Sequence, residues 1–234
     1  TTIGLIENGS VERRWRLKTD RLDTSDELDA ALRSFLALDG IALADVHAAA
    51  VASVVPVLTD MWRNALAHAL GKEPFIVSAA EVRGIEVAMP YPSQIGADRI
   101  ADAGEARGTY GSPAIVVDFG TATNIDVVDA RGRYRGGCIA PGLMLSASAL
   151  FEKAAKLASI PIEVPPAPIG DTTEHALQSG LVLGVAAQAE GLVARIKAQL
   201  AAEEGVDGID CPVIATGGLS RVIGQATDVF TAVD

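Results

Sequence analysis

The chain has 234 residues, of which 49% are hydrophobic and 4% aromatic, and its formal net charge at pH 7 is −11. This composition is typical of a globular protein with one large domain or two modest ones. The acidic excess argues against a surface that binds nucleic acid or an anionic membrane, because such surfaces need clustered Lys and Arg.

The sequence contains no pattern typical of a disulfide framework, a zinc site or a membrane span. Its two cysteines, Cys138 and Cys211, form no CxxC pair and belong to no Cys/His cluster. No stretch approaches the roughly 20 uninterrupted apolar residues that cross a bilayer, and no basic-then-apolar signal opens the chain. We therefore expect a cytoplasmic protein that acts on a small molecule, with neither nucleic acid nor membrane as a partner.

The first half of the chain alternates between predicted strands and helices, which is typical of an α/β fold. Strands are predicted over 1–6, 11–17, 46–55 and 75–77, and helices over 25–38 and 58–70. Asn8 and Gly9 supply a hairpin turn between the first two strands, and a Ser or an Asp caps the first helix. Pro56 stops the third strand, and Gly71 ends the second helix.

The second half predicts a three-stranded meander followed by helices. Strands are predicted over 114–118, 124–128 and 133–139, and helices over 100–110, 143–157 and 172–202. The strands form a meander because only tight turns separate them. Asp171 opens the last helix, with Glu174 three residues later as in a capping box, and Gly205 closes it.

Two predicted hairpins resemble each other. Residues 1–16 and 121–135 each contain a Thr-rich strand, a turn that ends in glycine and a strand that contains arginine. A duplicated hairpin, each copy followed by helices, predicts two similar lobes that face each other across a cleft.

Residues 118–124 have the sequence DFGTATN, which places an acid at a strand end before a turn of glycine and hydroxyl residues. Such a turn can offer backbone N–H groups to phosphate, and Asp118 can hold a cation that offsets the anionic charge. An ordinary hairpin, in which Asp118 and Thr121 only bond the turn backbone, explains the same residues.

A glycine pair, Gly217 and Gly218, follows the apolar residues 212–214 and precedes a predicted helix. A strand that ends in such a pair can let a base or a phosphate lie against the backbone. In isolation, a plain turn is the simpler explanation.

Residues 96–99 have the sequence GADR and directly precede an Ala-rich helix. The adjacent acid and base can divide the work of a reaction, because the Asp98 carboxylate can take a hydroxyl proton while the Arg99 guanidinium binds a substrate carboxylate. An acid at a helix N-terminus is also favoured for structural reasons alone.

These motifs occur, together with GGCIAPG at 136–142, SVVP at 53–56 and QSG at 178–180, in the order and spacing of type III pantothenate kinases. The chain resembles that family over nearly its whole length. The resemblance implies an α/β fold of two similar ribonuclease H-like lobes, an actin-like ATPase fold, around a nucleotide cleft. The lobes would comprise residues 1–111 and 112–234. It also implies the ATP-dependent phosphorylation of pantothenate to 4′-phosphopantothenate, the first step of coenzyme A biosynthesis.

The resemblance further implies a role for each matching residue. Asp98 is the expected general base, and Asp118 is the expected ligand of a monovalent cation, K⁺ or NH₄⁺. Mg²⁺ is expected with the ATP. The expected pantothenate-binding residues are Gly96, Ala97, Asp98, Arg99 and Thr173, and the expected ATP-binding residues are Gly120, Thr121, Gly217 and Gly218. In the family, the threonine that matches Thr173 reaches the site of the neighbouring subunit, which implies a homodimer.

The chain departs from the family pattern in two places. The family begins with an Asp-x-Gly-Asn-Thr phosphate loop, and this chain starts at or near the threonines of that loop. Because the chain also starts without Met and ends abruptly at Asp234, we expect both ends to be trimmed. Many relatives have a tyrosine seven residues before the GADR motif, where this chain has Met89, with Tyr91 nearby. Two alternatives therefore stay open: a catalytically degenerate nucleotide-binding paralogue that acts as a regulator, and a kinase for another small hydroxy acid.

Overall fold

The computed structural model describes residues 1–82, 84–153 and 159–234. Contacts divide the chain into two compact units, the first of Thr1–Glu81 with Gly96–Asp98 and the second of Val82–Ile95 with Arg99–Asp234. Each unit combines strands with helices, so the predicted α/β class is confirmed. The boundary that the sequence predicts, between residues 111 and 112, stays a prediction.

The first unit opens with an antiparallel hairpin of β1 (Thr2–Glu7) and β2 (Ser10–Arg16), as predicted. Its two turn residues, Asn8 and Gly9, have φ angles of 51° and 81°. Positive φ at both central residues gives a turn whose twist matches that of the flanking strands, which is why Asn-Gly is a strong hairpin signal.

Two helices of the first unit pack around a small apolar core. Helix α1 (Ser25–Leu38) is capped by Thr24, whose hydroxyl accepts a hydrogen bond from Glu27 N while the Glu27 carboxylate accepts one from Thr24 N. The predicted Ser or Asp cap is therefore wrong by at least one position, because only a residue ahead of the first turn can form this reciprocal pair. The core of this unit contains Leu28, Val51, Leu58, Trp62 and Ala65.

The predicted strand over 46–55 is shorter in the structure. Only β3 (Ala50–Val51) pairs, in parallel, with β4 (Phe75–Ile76). Ser53 ends the extended run, because its hydroxyl accepts a hydrogen bond from Val55 N and turns the chain into α2 (Pro56–Leu70). Gly71 ends α2 in the left-handed conformation, as predicted.

The second unit is built on a six-stranded mixed sheet in the order β10-β9-β6-β7-β8-β5. Its strands are β5 (Glu86–Val87), β6 (Ala114–Phe119), β7 (Ala122–Val128), β8 (Arg133–Pro141), β9 (Val213–Thr216) and β10 (Ala232–Val233). The predicted meander of β6, β7 and β8 is confirmed. Two strands of this sheet, β5 and β10, have no counterpart in the sequence prediction. Each has only two residues and is defined by its pairing with a neighbouring strand, β8 for β5 and β9 for β10.

Strand direction brings four chain segments to one edge of this sheet. Strand β6 runs parallel to β9 and antiparallel to β7, and β7 runs antiparallel to β8. The ends of β6, β8 and β9 and the start of β7 therefore lie at the same edge. This edge contains the turn at residues 118–122 and the glycines that follow β8 and β9.

In the described part of the second unit, five α-helices accompany the sheet. They are α3 (Ala97–Tyr110, of which Ala97 and Asp98 belong to the first unit), α4 (Leu143–Lys153), α5 (Thr173–Gln178), α6 (Gly184–Glu204) and α7 (Ser220–Gly224). The part of the predicted helix over 143–157 that follows Lys153 lies outside the described residues. The long C-terminal helix begins one residue later than predicted, because Thr172, not Asp171, accepts the capping hydrogen bond from His175 N. Gly205 closes α6 as predicted.

The helical span Thr173–Glu204 passes, by length and composition alone, the test for a membrane-crossing helix. Its apolar residues have a different use in this chain. Val182, Ala186, Ala189 and Val193 are at most 3% exposed and pack in the core of the second unit against the sheet. One face of the span therefore belongs to the core of the second unit.

Candidate active site

The Asp118 carboxylate lies between glycines from two different sequence motifs. A Cβ built on Gly217 would overlap Asp118 Oδ1, and a Cβ built on Gly120 would lie 3.3 Å from Asp118 Oδ2. The two motifs meet because β6 and β9 are parallel neighbours, with Asp118 opposite Thr216. The structure thus brings Asp118 together with the glycine pair, although about a hundred residues separate them in sequence.

The turn after Asp118 is held tightly by its own backbone and by Gly142. Gly120 N donates to Ala122 O at 3.0 Å, and Gly142 N donates to Thr121 O at 3.2 Å. A Cβ on Gly142 would overlap the carbonyl oxygen of Thr121 and would lie 2.6 Å from that of Gly120. Only glycine permits this approach, which explains the last glycine of the GGCIAPG motif.

The glycine pair is fixed on the same edge. Gly217 has a φ of +94°, and its carbonyl accepts a hydrogen bond of 2.9 Å from the Ser220 hydroxyl. Leu219 N donates to Phe119 O at 3.4 Å, which joins the two motifs through their backbones. Gly218 is exposed, so a planar ligand can approach its backbone closely.

This edge presents backbone and hydroxyl groups of the kinds that bind phosphate. Glycines without Cβ let a ligand reach backbone N–H groups, and Thr121 adds an exposed hydroxyl. Across residues 1–82, 84–153 and 159–234, no group of three or more His, Cys, Asp or Glu side chains could hold a metal ion. Asp118 is the carboxylate at this edge that could contact a cation.

The GADR motif is divided between the two units. In the first unit, a Cβ on Gly96 would overlap Asp98 Oδ1 and would lie 3.2 Å from Val54 Cγ1, so this glycine makes room for the Asp98 carboxylate beside the SVVP motif. Ala97 is buried, and Asp98 lies in the first turn of α3, where a negative charge is favourable. Gly96, Ala97 and Asp98 thus form one local group.

Arg99, in the second unit, contacts a buried carboxylate. Its Nε donates to Asp126 Oδ1 at 2.8 Å, and its Nη2 lies 2.7 Å from the same oxygen. The Tyr134 hydroxyl also donates to Asp126 Oδ1, at 2.7 Å, and both Asp126 and Tyr134 are fully buried. The sequence prediction missed these two partners. The available signal was an acid inside the apolar strand β7, because a buried acid needs a partner.

Thr173 is the first residue of α5 and is exposed. The cap residue before it, Thr172, fixes the start of the helix, and Asp171 bonds His175 at 2.6 Å. This hydrogen bond from His175 holds the pKa of Asp171 below its usual range. Thr173 is therefore presented on an ordered helix start.

Comparison with known proteins identifies the family. The model of the type III pantothenate kinase family matches residues 1–195. This chain belongs to the type III pantothenate kinase family. It is 40% identical over 232 residues to the type III pantothenate kinase of Roseiflexus sp. strain RS-1, covering 99% of this chain and 88% of that protein. It is 41% identical to that of Thermomicrobium roseum, covering 99% and 87% of the two chains, and 35% identical to that of Moorella thermoacetica, covering 99% and 89%.

The predicted resemblance to this family is confirmed, and a kinase family implies ATP as a substrate. A solved structure from Campylobacter jejuni, described as a Baf family transcriptional activator, matches the fold with a TM-score of 0.54 at 17% identity. The match covers 87% of this chain and 80% of that one. At this identity the likeness concerns the fold alone.

Proposed function

We propose that this chain phosphorylates pantothenate with ATP to give 4′-phosphopantothenate, the first step of coenzyme A biosynthesis. The observation that carries the proposal is membership of the type III pantothenate kinase family over nearly the whole chain. The grouping of Asp118 with Gly120 and Gly217 supports it, because a phosphate-transfer site needs such a backbone cradle. Two similar ribonuclease H-like lobes, over residues 1–111 and 112–234, are part of the same proposal.

The sheet edge at Asp118 is the proposed ATP side of the reaction. Thr121 and the backbone of Gly120 contact ATP, and Gly217 and Gly218 leave room for its adenosine or phosphates. Asp118 binds a monovalent cation, K⁺ or NH₄⁺, which offsets negative charge at the phosphates. Mg²⁺ accompanies the ATP and supplies further charge neutralisation.

Asp98 is the proposed general base. The primary hydroxyl oxygen of pantothenate forms a bond to the γ-phosphorus, the bond from that phosphorus to ADP breaks, and the hydroxyl proton passes to the Asp98 carboxylate. Gly96 and Ala97 line the pantothenate-binding site beside that carboxylate. Arg99, whose guanidinium is oriented by Asp126, helps to bind the substrate carboxylate.

The active form is proposed to be a cytoplasmic homodimer. Thr173 is exposed at the start of α5, which suits a residue that contacts pantothenate in the neighbouring subunit.

The role of Asp98 is tested by Asp98→Asn in the protein expressed from its complete gene. The amide keeps the shape of the side chain but cannot accept the proton, so kcat should fall by about 10²-fold or more, while KM for pantothenate changes far less. Steady-state rates with pantothenate and ATP varied in turn measure both constants.

The matched control is Asp26→Asn, which removes an exposed acid from the first turn of another helix of the first unit. It should retain the wild-type kcat. An Asp98→Asn enzyme with wild-type turnover would remove Asp98 as the base.

A further inference from the structure

The segment over residues 159–172, which leads to Thr173, has no regular secondary structure. Four of its 14 residues are prolines: Pro161, Pro165, Pro166 and Pro168. Because proline has no N–H to donate, such a segment cannot pair along its length with a strand. Other contacts must hold it in place.

Two neighbouring side chains of the long helix bind carbonyl groups of this segment. Gln178 Nε2 donates to Pro161 O at 3.1 Å, and Gln178 is only 5% exposed. Ser179 Oγ donates to Pro168 O at 2.6 Å. The helix therefore holds the segment at two points that are seven residues apart. Both donors belong to the QSG motif, for which the proposed reaction has no other use.

Close packing holds the segment at two further places. Ile162 and Val164 pack, partly buried, against the core of the second unit. A Cβ on Gly170 would overlap the backbone of Ala176, so the segment lies directly against the first turn of α5. Between these contacts, Ile169 remains 88% exposed. The segment is thus anchored at separate points, and most of the residues between them are exposed.

The helix changes its winding where the two donors lie. Residues Ser179–Leu183 form a π turn between α5 and α6. An extra residue in a turn rotates the following side chains by about 100° relative to an unbroken α-helix. Gln178 and Ser179 can therefore reach the proline-rich segment while Leu181 and Val182 remain buried in the core. Such π turns recur at functional sites.

We propose that Gln178 and Ser179 are positioning residues for the binding of pantothenate. By fixing residues 161–172 against the helix, they set the place and direction of the α5 start, and with it Thr173. This inference rests on the proposed function, which gives Thr173 its contact with pantothenate. Neither residue touches the substrate.

The test compares Gln178→Met, which keeps the length of the side chain but removes its donor, and Ser179→Ala with the wild-type enzyme. Each should raise KM for pantothenate by about fivefold to tenfold, the effect of one lost hydrogen bond, while KM for ATP stays within about twofold. Ser179→Thr retains a hydroxyl and should restore the wild-type KM. Gln188→Met, which changes an exposed glutamine of α6, is the matched control and should alter neither constant.

Hydrogen–deuterium exchange supplies a readout that does not depend on activity. The amides of residues 162–172 should exchange faster in Gln178→Met and Ser179→Ala, while those of α6 (Gly184–Glu204) keep their wild-type rates. Should the buried Gln178 variant fail to fold, the partly exposed Ser179 carries the same test.

An unchanged KM for pantothenate in folded variants of an active enzyme would overturn the inference, whether or not the segment exchanges faster. A rise of equal size in both KM values would overturn it as well, because the two side chains would then only stabilise the fold. A wild-type enzyme without pantothenate-dependent turnover would overturn the proposed function instead, so the two failures are distinguishable.

Discussion

At the scale of single residues, Arg99 has a structural partner as well as a proposed substrate. Its guanidinium lies against Asp126, which is fully buried and also accepts the Tyr134 hydroxyl. A buried carboxylate that loses its cation is strongly destabilising, because its charge is then left uncompensated in a medium of low dielectric constant. A loss of activity in an Arg99 variant would therefore combine a substrate effect with an effect on folding.

Asp126→Asn measures the effect on folding. It removes the negative charge that pairs with the partly buried Arg99, so the free energy of unfolding should fall by about 3–5 kcal/mol. Urea denaturation measures the change.

The control for this measurement is Asp20→Asn, which breaks an exposed pair with Lys18 and should leave the free energy of unfolding unchanged within error. Equal stability of the two variants would show that the Arg99–Asp126 pair does not support the fold.

At the scale of elements, the parallel pairing of β6 with β9 places the Gly217 backbone against the Asp118 carboxylate. The two motifs were separate signals in the sequence, and each had an ordinary turn as its alternative. Their contact across neighbouring strands favours a shared function. Both motifs have glycine at a position where a Cβ would crowd the Asp118 carboxylate, which two unrelated turns would have no reason to share.

Gly217→Ala tests this contact. The new Cβ would displace Asp118 and would lie 2.7 Å from Phe119 N, at a φ of +94° that disfavours alanine. KM for ATP should rise at least tenfold, and the K⁺ concentration that gives half-maximal activity should rise with it. Rates measured over a series of ATP and K⁺ concentrations provide both values.

The matched control is Gly208→Ala, where a Cβ would meet no atom within 4 Å. It should behave as the wild type. Identical ATP and K⁺ responses in the two variants would contradict a role for the Asp118–Gly217 contact in binding.

The sequence predicted most elements because their signals are local. The Asn8-Gly9 turn, the meander and the helix ends at Gly71 and Gly205 all follow from turn chemistry and periodicity. Elements decided by distant partners were mispredicted: the strand over 46–55 shrinks to the two residues that β4 can pair, and β5 exists only beside β8. Cap residues were misplaced because adjacent Ser, Thr and Asp have similar preferences.

The candidate site likewise has features that local sequence patterns predict and features that they do not. The motifs identified Asp98, Asp118 and the glycines one by one, because glycine and acid at a strand or helix end are local signals. The reason why Gly142 is glycine, and the partners of Arg99, depend on contacts between elements that are distant in sequence.

At the scale of the whole molecule, membership of the kinase family extends over both compact units. The long helix Thr173–Glu204 belongs to this picture as a core element, since its apolar residues pack beside the sheet whose edge contains Asp118. The acidic surface, with a formal net charge of −11, agrees with a small-molecule substrate and not a polyanionic one. The molecule as a whole is therefore proposed to carry out one reaction, the phosphorylation of pantothenate by ATP.

That reaction is tested most directly by incubating the protein from its complete gene with ATP, Mg²⁺ and K⁺, with and without pantothenate, and identifying the product by mass. We predict 4′-phosphopantothenate and an equal amount of ADP, with ATP consumption that requires pantothenate and is much slower with other small hydroxy acids. Nucleotide binding without turnover, or faster phosphorylation of a different hydroxy acid, would contradict the account.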